Sequence, residues 1–270
     1  MDKKNQSNRQ LISLIIPAYK QEKTIKEDIY NIQKSLNESK YKYEMIVVVD
    51  GMLDKTYEQA KSINDSKIKV YKYEENKGKG FAVRFGSTKA KGDIIGFIDA
   101  GMDIRAHGIS MVLEHFSWYN ADIIIGSKLH PVSKVTYPFQ RKVLSWGYRL
   151  VTRILFGLSI KDTQVGMKFF RKAVLRDILP RLLVKTYAFD IEMLAVAHHL
   201  GYTRIYEAPV ELEFNGASSI TSKSFWKVIS LMFWDTLAVF YRLKLIHYYD
   251  NSNKKNWKYD PQLHLKVNSI

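Results

Sequence analysis

The strongest constraint on this chain is an alternation in its first half. Short apolar runs rich in β-branched residues, at 11–16, 44–49, 68–73 and 94–98, read as strands bounded by turn or polar residues. Between them, 24–39, 55–63 and 80–90 carry helical spacing. A strand followed by a helix and another strand implies parallel pairing, because the crossover helix returns the chain to the starting end of the sheet. The expectation is an α/β fold: a mostly parallel central sheet flanked by helices. The second half adds a strand at 123–125, a basic helical stretch near 141–156, a compact polar motif at 162–168, and helices near 173–183 and 190–200. No repeat or low-complexity linker interrupts it. The expected organisation is a polar tail over 1–10, one continuous domain over 11–222, and an amphipathic helical extension with a polar tail over 223–270.

Composition narrows the function classes. At 270 residues and 46% apolar content the chain can bury a sizeable core. It has no cysteine, which excludes disulfide scaffolds, zinc ribbons and thiol nucleophiles, so any metal is held by oxygen or imidazole. Lys and Arg number 42 against 27 Asp and Glu, a formal net charge of +15, which predicts an anionic partner. The run 11–16 is too short to serve as a signal-peptide core. The apolar segment 225–246 carries Lys227, Asp235 and Arg242; the 14 residues between Lys227 and Arg242 cover roughly 21 Å as a helix, short of a hydrocarbon core of about 30 Å, and Asp235 sits among them. It reads as a helix that packs on the domain or lies on a membrane surface.

In parallel α/β sheets ligands bind beyond the carboxyl ends of the strands. Those segments here are 17–22, 50–56, 74–80 and 99–103, and all carry polar or glycine-rich candidates. Asp99 ends one strand and Asp103 follows; if the chain stays extended between them, both fall on one face, where paired carboxylates suit Mg2+ or Mn2+. Capping of a turn is the competing role. Asp54 and Thr56, after Asp50 and Gly51, read as caps of the next helix. Lys77-Gly78-Lys79-Gly80 offers glycine backbone and ammonium donors to an anion, but matches neither the P-loop nor the dinucleotide fingerprint.

Taken in order, several of these segments form a recognisable set. Pro17-Ala18-Tyr19, Val47-Val48-Val49-Asp50-Gly51, Gly78-Lys79-Gly80 and Asp99, followed by Gly126-Ser127-Lys128, Arg141-Lys142-Val143-Leu144-Ser145, Asp162-Thr163-Gln164-Val165-Gly166 and Phe189-Asp190-Ile191-Glu192, resemble the family-2 inverting glycosyltransferases of GT-A fold, in the polyprenyl-phosphate branch that includes dolichyl-phosphate glucose and mannose synthases. The resemblance covers about residues 11 to 220. It implies a GT-A, Rossmann-like sheet and a nucleotide-sugar site lined by Pro17, Tyr19, Gln21, Asp50, Lys79, Gly80, Asp99, Ala100 and Gln164. It also implies a metal-dependent hexose transfer from a UDP-glucose or GDP-mannose type of donor, with Lys128, Asp162 and Asp190 as further active-site residues. The usual second metal carboxylate falls at Gly101, so the ligand pair implied is Asp99 with Asp103. Gln21 stands where relatives commonly have Glu, and Lys128 where they have Arg, keeping the charge but losing the bidentate fork.

The charge excess is also localised. From 123 to 161 there are seven Lys or Arg and no acid, interleaved with Tyr137, Phe139, Trp146, Tyr148, Leu150, Ile154 and Phe156. A cationic yet apolar surface suits an anionic lipid at a membrane better than a nucleic acid. Arg141 and Ser145 are four apart on a helix and can grip one phosphate together. A phosphate acceptor needs no strong base, whereas a saccharide or other hydroxyl acceptor would require one from Asp190, Glu192 or Asp162. Asp190 and Glu192 are equally placed to cap their helix or complement its dipole. The partners expected are therefore a nucleoside diphosphate sugar, a polyprenyl phosphate and a membrane surface, with room for a membrane-protein partner. The expected location is the cytoplasm, peripheral at the inner face of the membrane.

Overall fold

The structure, a computed structural model, describes residues 10–101, 108–133, 139–186, 188–210 and 222–268, with side chains described for all of these except 139–145 and 222–226. The alternation resolves as β1 (Leu11–Ala18), α1 (Ile25–Glu38), β2 (Lys42–Asp50), α2 (Thr56–Lys61), β3 (Ile68–Tyr73), α3 (Lys79–Lys89) and β4 (Ile94–Ile98). There follow α4 (Gly108–Trp118), β5 (Ile123–Ser127), α5 (Phe139–Phe156), β6 (Met167–Arg171), α6 (Lys172–Ile178), α7 (Phe189–His199) and β7 (Ile205–Pro209). Last come α8 (Ser222–Phe240), a π-helical turn (Tyr241–Leu245), a 3-10 turn (Asn251–Asn256), β8 (Trp257–Asp260) and β9 (Leu265–Asn268).

A seven-stranded sheet in the order β3-β2-β1-β4-β6-β5-β7 forms the centre. β1, β2 and β4 are buried along nearly their whole length, as expected for parallel strands covered by helices on both faces. From β1 the chain builds outward to β2 and β3, then crosses to β4 on the other side. The gap between the carboxyl ends of β1 and β4 is thus the topological switch point, where such sheets open a crevice. β6 runs antiparallel to both β4 and β5. The sequence reading took its start as part of a polar motif, because Lys168 and Arg171 interrupt the apolar run.

The stretch expected as a polar tail is folded onto the body. β8 and β9 pair antiparallel, and Leu263 in their turn is fully buried. Arg181 Nε donates to the carbonyl of Tyr249 at 2.8 Å and the Tyr248 hydroxyl donates to the carbonyl of Asn268 at 3.1 Å. The polar residues that suggested a tail lie on the outward side of a hairpin whose few inward residues anchor it. The segment 225–246 is helical and divided in exposure: Thr236 and Val239 are buried, while Leu231, Phe233 and Trp234 face solvent. Among the described residues no helix is long and apolar enough to cross a membrane.

Candidate functional site

Asp99 follows β4 at the switch point, its amide donating to the Gly166 carbonyl at 3.2 Å. The next amide, Ala100, donates to the Pro17 carbonyl at 3.3 Å, so the ends of β4 and β1 are tied together. Pro17 is buried and Tyr19 beyond it is exposed. The chain does not stay extended after Asp99: Ala100 and Gly101 form a turn, with Gly101 at φ 69°. A Cβ on Gly101 would lie 2.9 Å from the side-chain Nε2 of Gln21. The extended-chain reason for putting Asp103 on the face of Asp99 therefore fails, and Asp103 itself lies outside the described residues.

Asp99 Oδ2 accepts from Lys79 Nζ at 2.9 Å. The same ammonium reaches Asp190 Oδ2 at 3.2 Å, and Asp190 Oδ1 accepts from Lys168 Nζ at 2.5 Å. Asp99, Lys79, Asp190 and Lys168 are thus one cluster of two carboxylates and two ammoniums, drawn from the residue after β4 and from α3, α7 and β6. Asp190 is only 4% exposed. Burial works against its charge, but Lys168 and Lys79 outweigh it and hold the carboxyl below its ordinary range. Lys168 is fully buried and its ammonium is pushed down by desolvation, against the pull of Asp190. Asp99 Oδ1 is buried and has no hydrogen-bond partner among the described residues. That atom is a ready ligand for a hard cation. Among the described residues no three His, Asp or Glu converge as a self-sufficient metal site, so an ion here would be completed by a bound ligand's oxygens.

Lys168 carries no role in the sequence reading. A lysine flanked by Met167, Phe169 and Phe170 is the one available signal, since such a residue is either an edge-strand solvent contact or a buried ion.

Two residues expected at the nucleotide face inward instead. Asp50, 3% exposed, accepts from the amides of Lys77 (2.7 Å) and Gly78 (2.9 Å) and from Asn76 Nδ2 (2.9 Å). Its carboxylate is spent holding the turn that launches α3, so it positions Lys79 and does not point outward. Gly80 donates its amide to the Lys185 carbonyl at 3.0 Å, and a Cβ on it would sit 2.7 Å from both the Phe189 ring and the Val184 carbonyl. Glycine is required there for packing against Val184 and Phe189. Neither Asp54 nor Thr56 is the N-cap of α2, which is Lys55 and makes no side-chain cap bond; Asp54, one residue earlier, accepts from the Thr56 amide at 3.0 Å and the Glu22 amide at 3.2 Å. Buried Thr56 in turn accepts from the Gln21 amide at 2.8 Å, fixing that residue beside Gly101.

At the end of β5, the Lys128 amide donates to Asp162 Oδ2 at 3.1 Å, and burial raises the Asp162 pKa despite the nearby Lys128 charge. Gln164 Nε2 donates to the Tyr148 hydroxyl at 3.4 Å, linking this loop to α5. Arg141 and Ser145 lie four apart on the helical backbone of α5; their side chains are outside the described set. Neither carboxylate of α7 caps its own helix. Asp190 goes to the lysines, and Glu192, fully buried, accepts from the amides of Leu183 and Val184 and from the Tyr249 hydroxyl. Glu192 is thereby removed as a candidate base.

The family model described as "Glycosyl transferase family 2" matches residues 13–179. Relatives include the dolichyl-phosphate beta-glucosyltransferases of Drosophila melanogaster, 32% identical over 70% of this chain and 63% of that protein, and of Dictyostelium discoideum, 29% identical over 74% and 66%. The chain thus aligns with somewhat under two thirds of the length of each. A UDP-N-acetylglucosamine–dolichyl-phosphate N-acetylglucosaminyltransferase of Methanococcus voltae is 30% identical over 69% of this chain and 80% of that protein. Among solved structures, glucosyl-3-phosphoglycerate synthase from Mycobacterium tuberculosis, in complex with Mn2+, UDP and phosphoglyceric acid, superposes with TM-score 0.66 at 18% identity, covering 87% of this chain and 80% of that one. Mannosyl-3-phosphoglycerate synthase from Rubrobacter xylanophilus gives TM-score 0.69 at 14% identity, with 87% and 75% covered. These likenesses establish the glycosyltransferase fold.

Proposed function

The chain belongs to glycosyl transferase family 2, and we propose that it moves a hexose from a nucleoside diphosphate sugar to a polyprenyl phosphate of the dolichyl type, with inversion. The observation that carries this reading is the cluster at the switch point, Asp99–Lys79–Asp190–Lys168, in a chain related to dolichyl-phosphate glucosyltransferases. UDP-glucose is the donor we propose. Its base and ribose lie against Pro17, Tyr19 and Gln21, and its diphosphate near Lys79, Asp99 and Ala100, with Gln164 on the far side.

The unpartnered Oδ1 of Asp99 fits a divalent ion, Mg2+ or Mn2+, with Asp103 as the second protein ligand. Bound there, the ion supplies charge neutralisation for the departing diphosphate. Lys79 stands within reach to do the same with its ammonium. The acceptor phosphate is held by Lys128 and by Arg141 and Ser145 of α5. One of its oxygens attacks the anomeric carbon as the bond from that carbon to the diphosphate oxygen breaks, and the electron pair leaves on the nucleoside diphosphate. No proton need be removed, which suits a site where Asp190 and Glu192 are both engaged by protein donors. The same engagement counts against a hydroxyl acceptor, which would leave half-buried Asp162 as its base.

The membrane role rests on α5 and α8. They are joined by the Tyr148 and Thr236 hydroxyls at 3.0 Å and by edge-to-face packing of Phe156 and Phe240. Trp146, Leu150 and Ile154 follow one another at four-residue intervals along α5 and are exposed, as are Leu231, Phe233 and Trp234 on α8 and Leu245 beyond it. Exposed apolar side chains on these two helices, which also carry Arg149, Arg153 and Lys227, support peripheral docking on an acidic membrane, on the side facing the cytoplasm.

The test is a panel of labelled UDP- and GDP-sugars with Mg2+ or Mn2+ and a short polyprenyl phosphate, read as organic-extractable label. Lipid-linked product with UDP-glucose is expected. Donor binding without lipid product would move the acceptor to the hydroxyl class, and no donor binding would overturn the enzymatic reading.

A further inference from the structure

The segment after α8 reaches the site through a chain of hydrogen bonds. In the π-helical turn, Leu243 is buried, and Arg242 Nε donates to the Tyr249 hydroxyl at 3.0 Å. Tyr249, itself fully buried, donates to Glu192 Oε1 at 2.7 Å. Glu192 Oε2 accepts from the amides of Leu183 at 3.0 Å and Val184 at 2.9 Å. The next residue, Lys185, accepts from the Gly80 amide at 3.0 Å. Its carbonyl also lies 2.5 Å from where a Cβ on Gly78 would be, a contact only glycine tolerates, and Gly78 sits at φ 88°. Residues 183–185 therefore form the wall against which Gly78-Lys79-Gly80 is set. A carboxylate that is fully buried must be satisfied by its donors, so removing one leaves the others to readjust.

We propose that Tyr249, backed by Arg242, is a positioning residue for donor binding: through Glu192 it holds 183–185, and through them it fixes where Lys79 stands. The C-terminal segment is then part of the donor site, although Arg242, Glu192 and Tyr249 all lie beyond the 13–179 match to the family. The inference rests on the reading of Lys79 as a donor-binding group. Its structural half, the link from Tyr249 to Gly80, stands independently.

Tyr249→Phe removes the hydroxyl and keeps the ring. Tyr248→Phe is the matched control, because Tyr248 is buried in the same segment but donates to the Asn268 carbonyl and not to Glu192. We expect Tyr249→Phe to speed amide hydrogen exchange at Leu183, Val184 and Gly80. It should also weaken UDP binding, measured by calorimetry, by about five-fold, less than the roughly ten-fold or more that a buried hydrogen bond to a charged group is worth, because the loss reaches Lys79 only through 183–185. The KM for polyprenyl phosphate should stay within about two-fold, since the change is confined to one interaction. Tyr248→Phe should lower the melting temperature without either effect. Unchanged exchange at 183–184 and 80 in Tyr249→Phe, or the same changes in Tyr248→Phe, would overturn the proposal. Wild-type protein that binds no UDP would instead remove the donor-site reading, while the exchange data would still decide the link.

Discussion

Lys79 is the residue on which the charge balance of the site turns. With Lys168 it makes two ammoniums against the carboxylates of Asp99 and Asp190, and among the described residues it alone touches both acids. It therefore occupies Asp99 Oδ2, one of the two oxygens a metal would use. Lys79→Met should accordingly tighten Mn2+ binding measured without nucleotide, by electron paramagnetic resonance, and weaken UDP binding. Loss of both affinities together would show that Lys79 does not compete at Asp99. The two acids should also separate by their effects. Asp190→Asn leaves buried Lys168 short of its counter-charge and should cost about 3 kcal/mol in urea unfolding, the scale of a broken buried pair. Asp99, with its side chain about a third exposed, should tolerate Asp99→Asn with little loss of stability but lose metal-dependent turnover. Equal destabilisation by the two substitutions would contradict this division. Asp99 could be read from the sequence because it ends an obvious strand. The partnership with Lys168 and Asp190 could not, since it joins the end of β4 to β6 and α7 across long separations. Asp50 illustrates the same limit: its position after a strand was legible, but the direction of its carboxylate is set by amides 27 and 28 residues away.

At the scale of elements, the opposite end of the sheet is held by Glu44. From β2 it accepts from Ser13 Oγ on β1 at 2.7 Å, from the Lys91 amide ahead of β4 at 2.7 Å, and from Lys69 Nζ on β3 at 3.0 Å. Burial raises its pKa, but these donors outweigh burial and the net shift is downward. A carboxyl lowered on folding contributes stability above its unfolded pKa, and that contribution is lost as pH falls through the folded value. Wild-type stability should therefore decline below about pH 4.5. Glu44→Gln should be less stable at pH 7 by about 1–2 kcal/mol, because buried donors lose a charged acceptor, and its acid limb should be flatter. An unchanged acid limb in Glu44→Gln would assign the pH dependence elsewhere. β1, β2, β4 and β5 were visible in the sequence because strands buried on both faces are nearly continuously apolar, and the edge strand β3 through its β-branched and aromatic residues. β6 was hidden by Lys168, a charge that the core accepts because Asp190 and the Val165 carbonyl meet it. β7 was hidden by Glu207 and Pro209, residues tolerated because that strand lies at the sheet edge. β8 and β9 contribute so few buried side chains that their pattern is dominated by their exposed face.

At the scale of the whole molecule, the +15 charge and the apolar faces of α5 and α8 have to be considered together. Charge alone would draw the protein to any polyanion, and apolar exposure alone would favour aggregation. On the proposed reading, the exposed apolar residues of α5 and α8, two helices bonded to each other and, through Gln164 and Tyr148, to the site, would meet the membrane; among the described residues no helix is long and apolar enough to cross it. Docking of this kind has a two-part signature. Ile154 and Trp234 are 72% and 65% exposed, so replacing both with Ala leaves the fold nearly untouched while removing apolar area from the contact. Each such side chain is worth about 1.5–3 kcal/mol when fully buried, so even partial insertion makes the double substitution cost at least about ten-fold in binding. Co-sedimentation with vesicles containing anionic lipid should show that loss, together with a fall in wild-type binding as salt rises. UDP affinity in solution should not change. Binding that depends on salt but not on Ile154 and Trp234 would mean that the protein is held by charge alone. The apolar faces would then be free to meet a membrane-protein partner instead of the lipid.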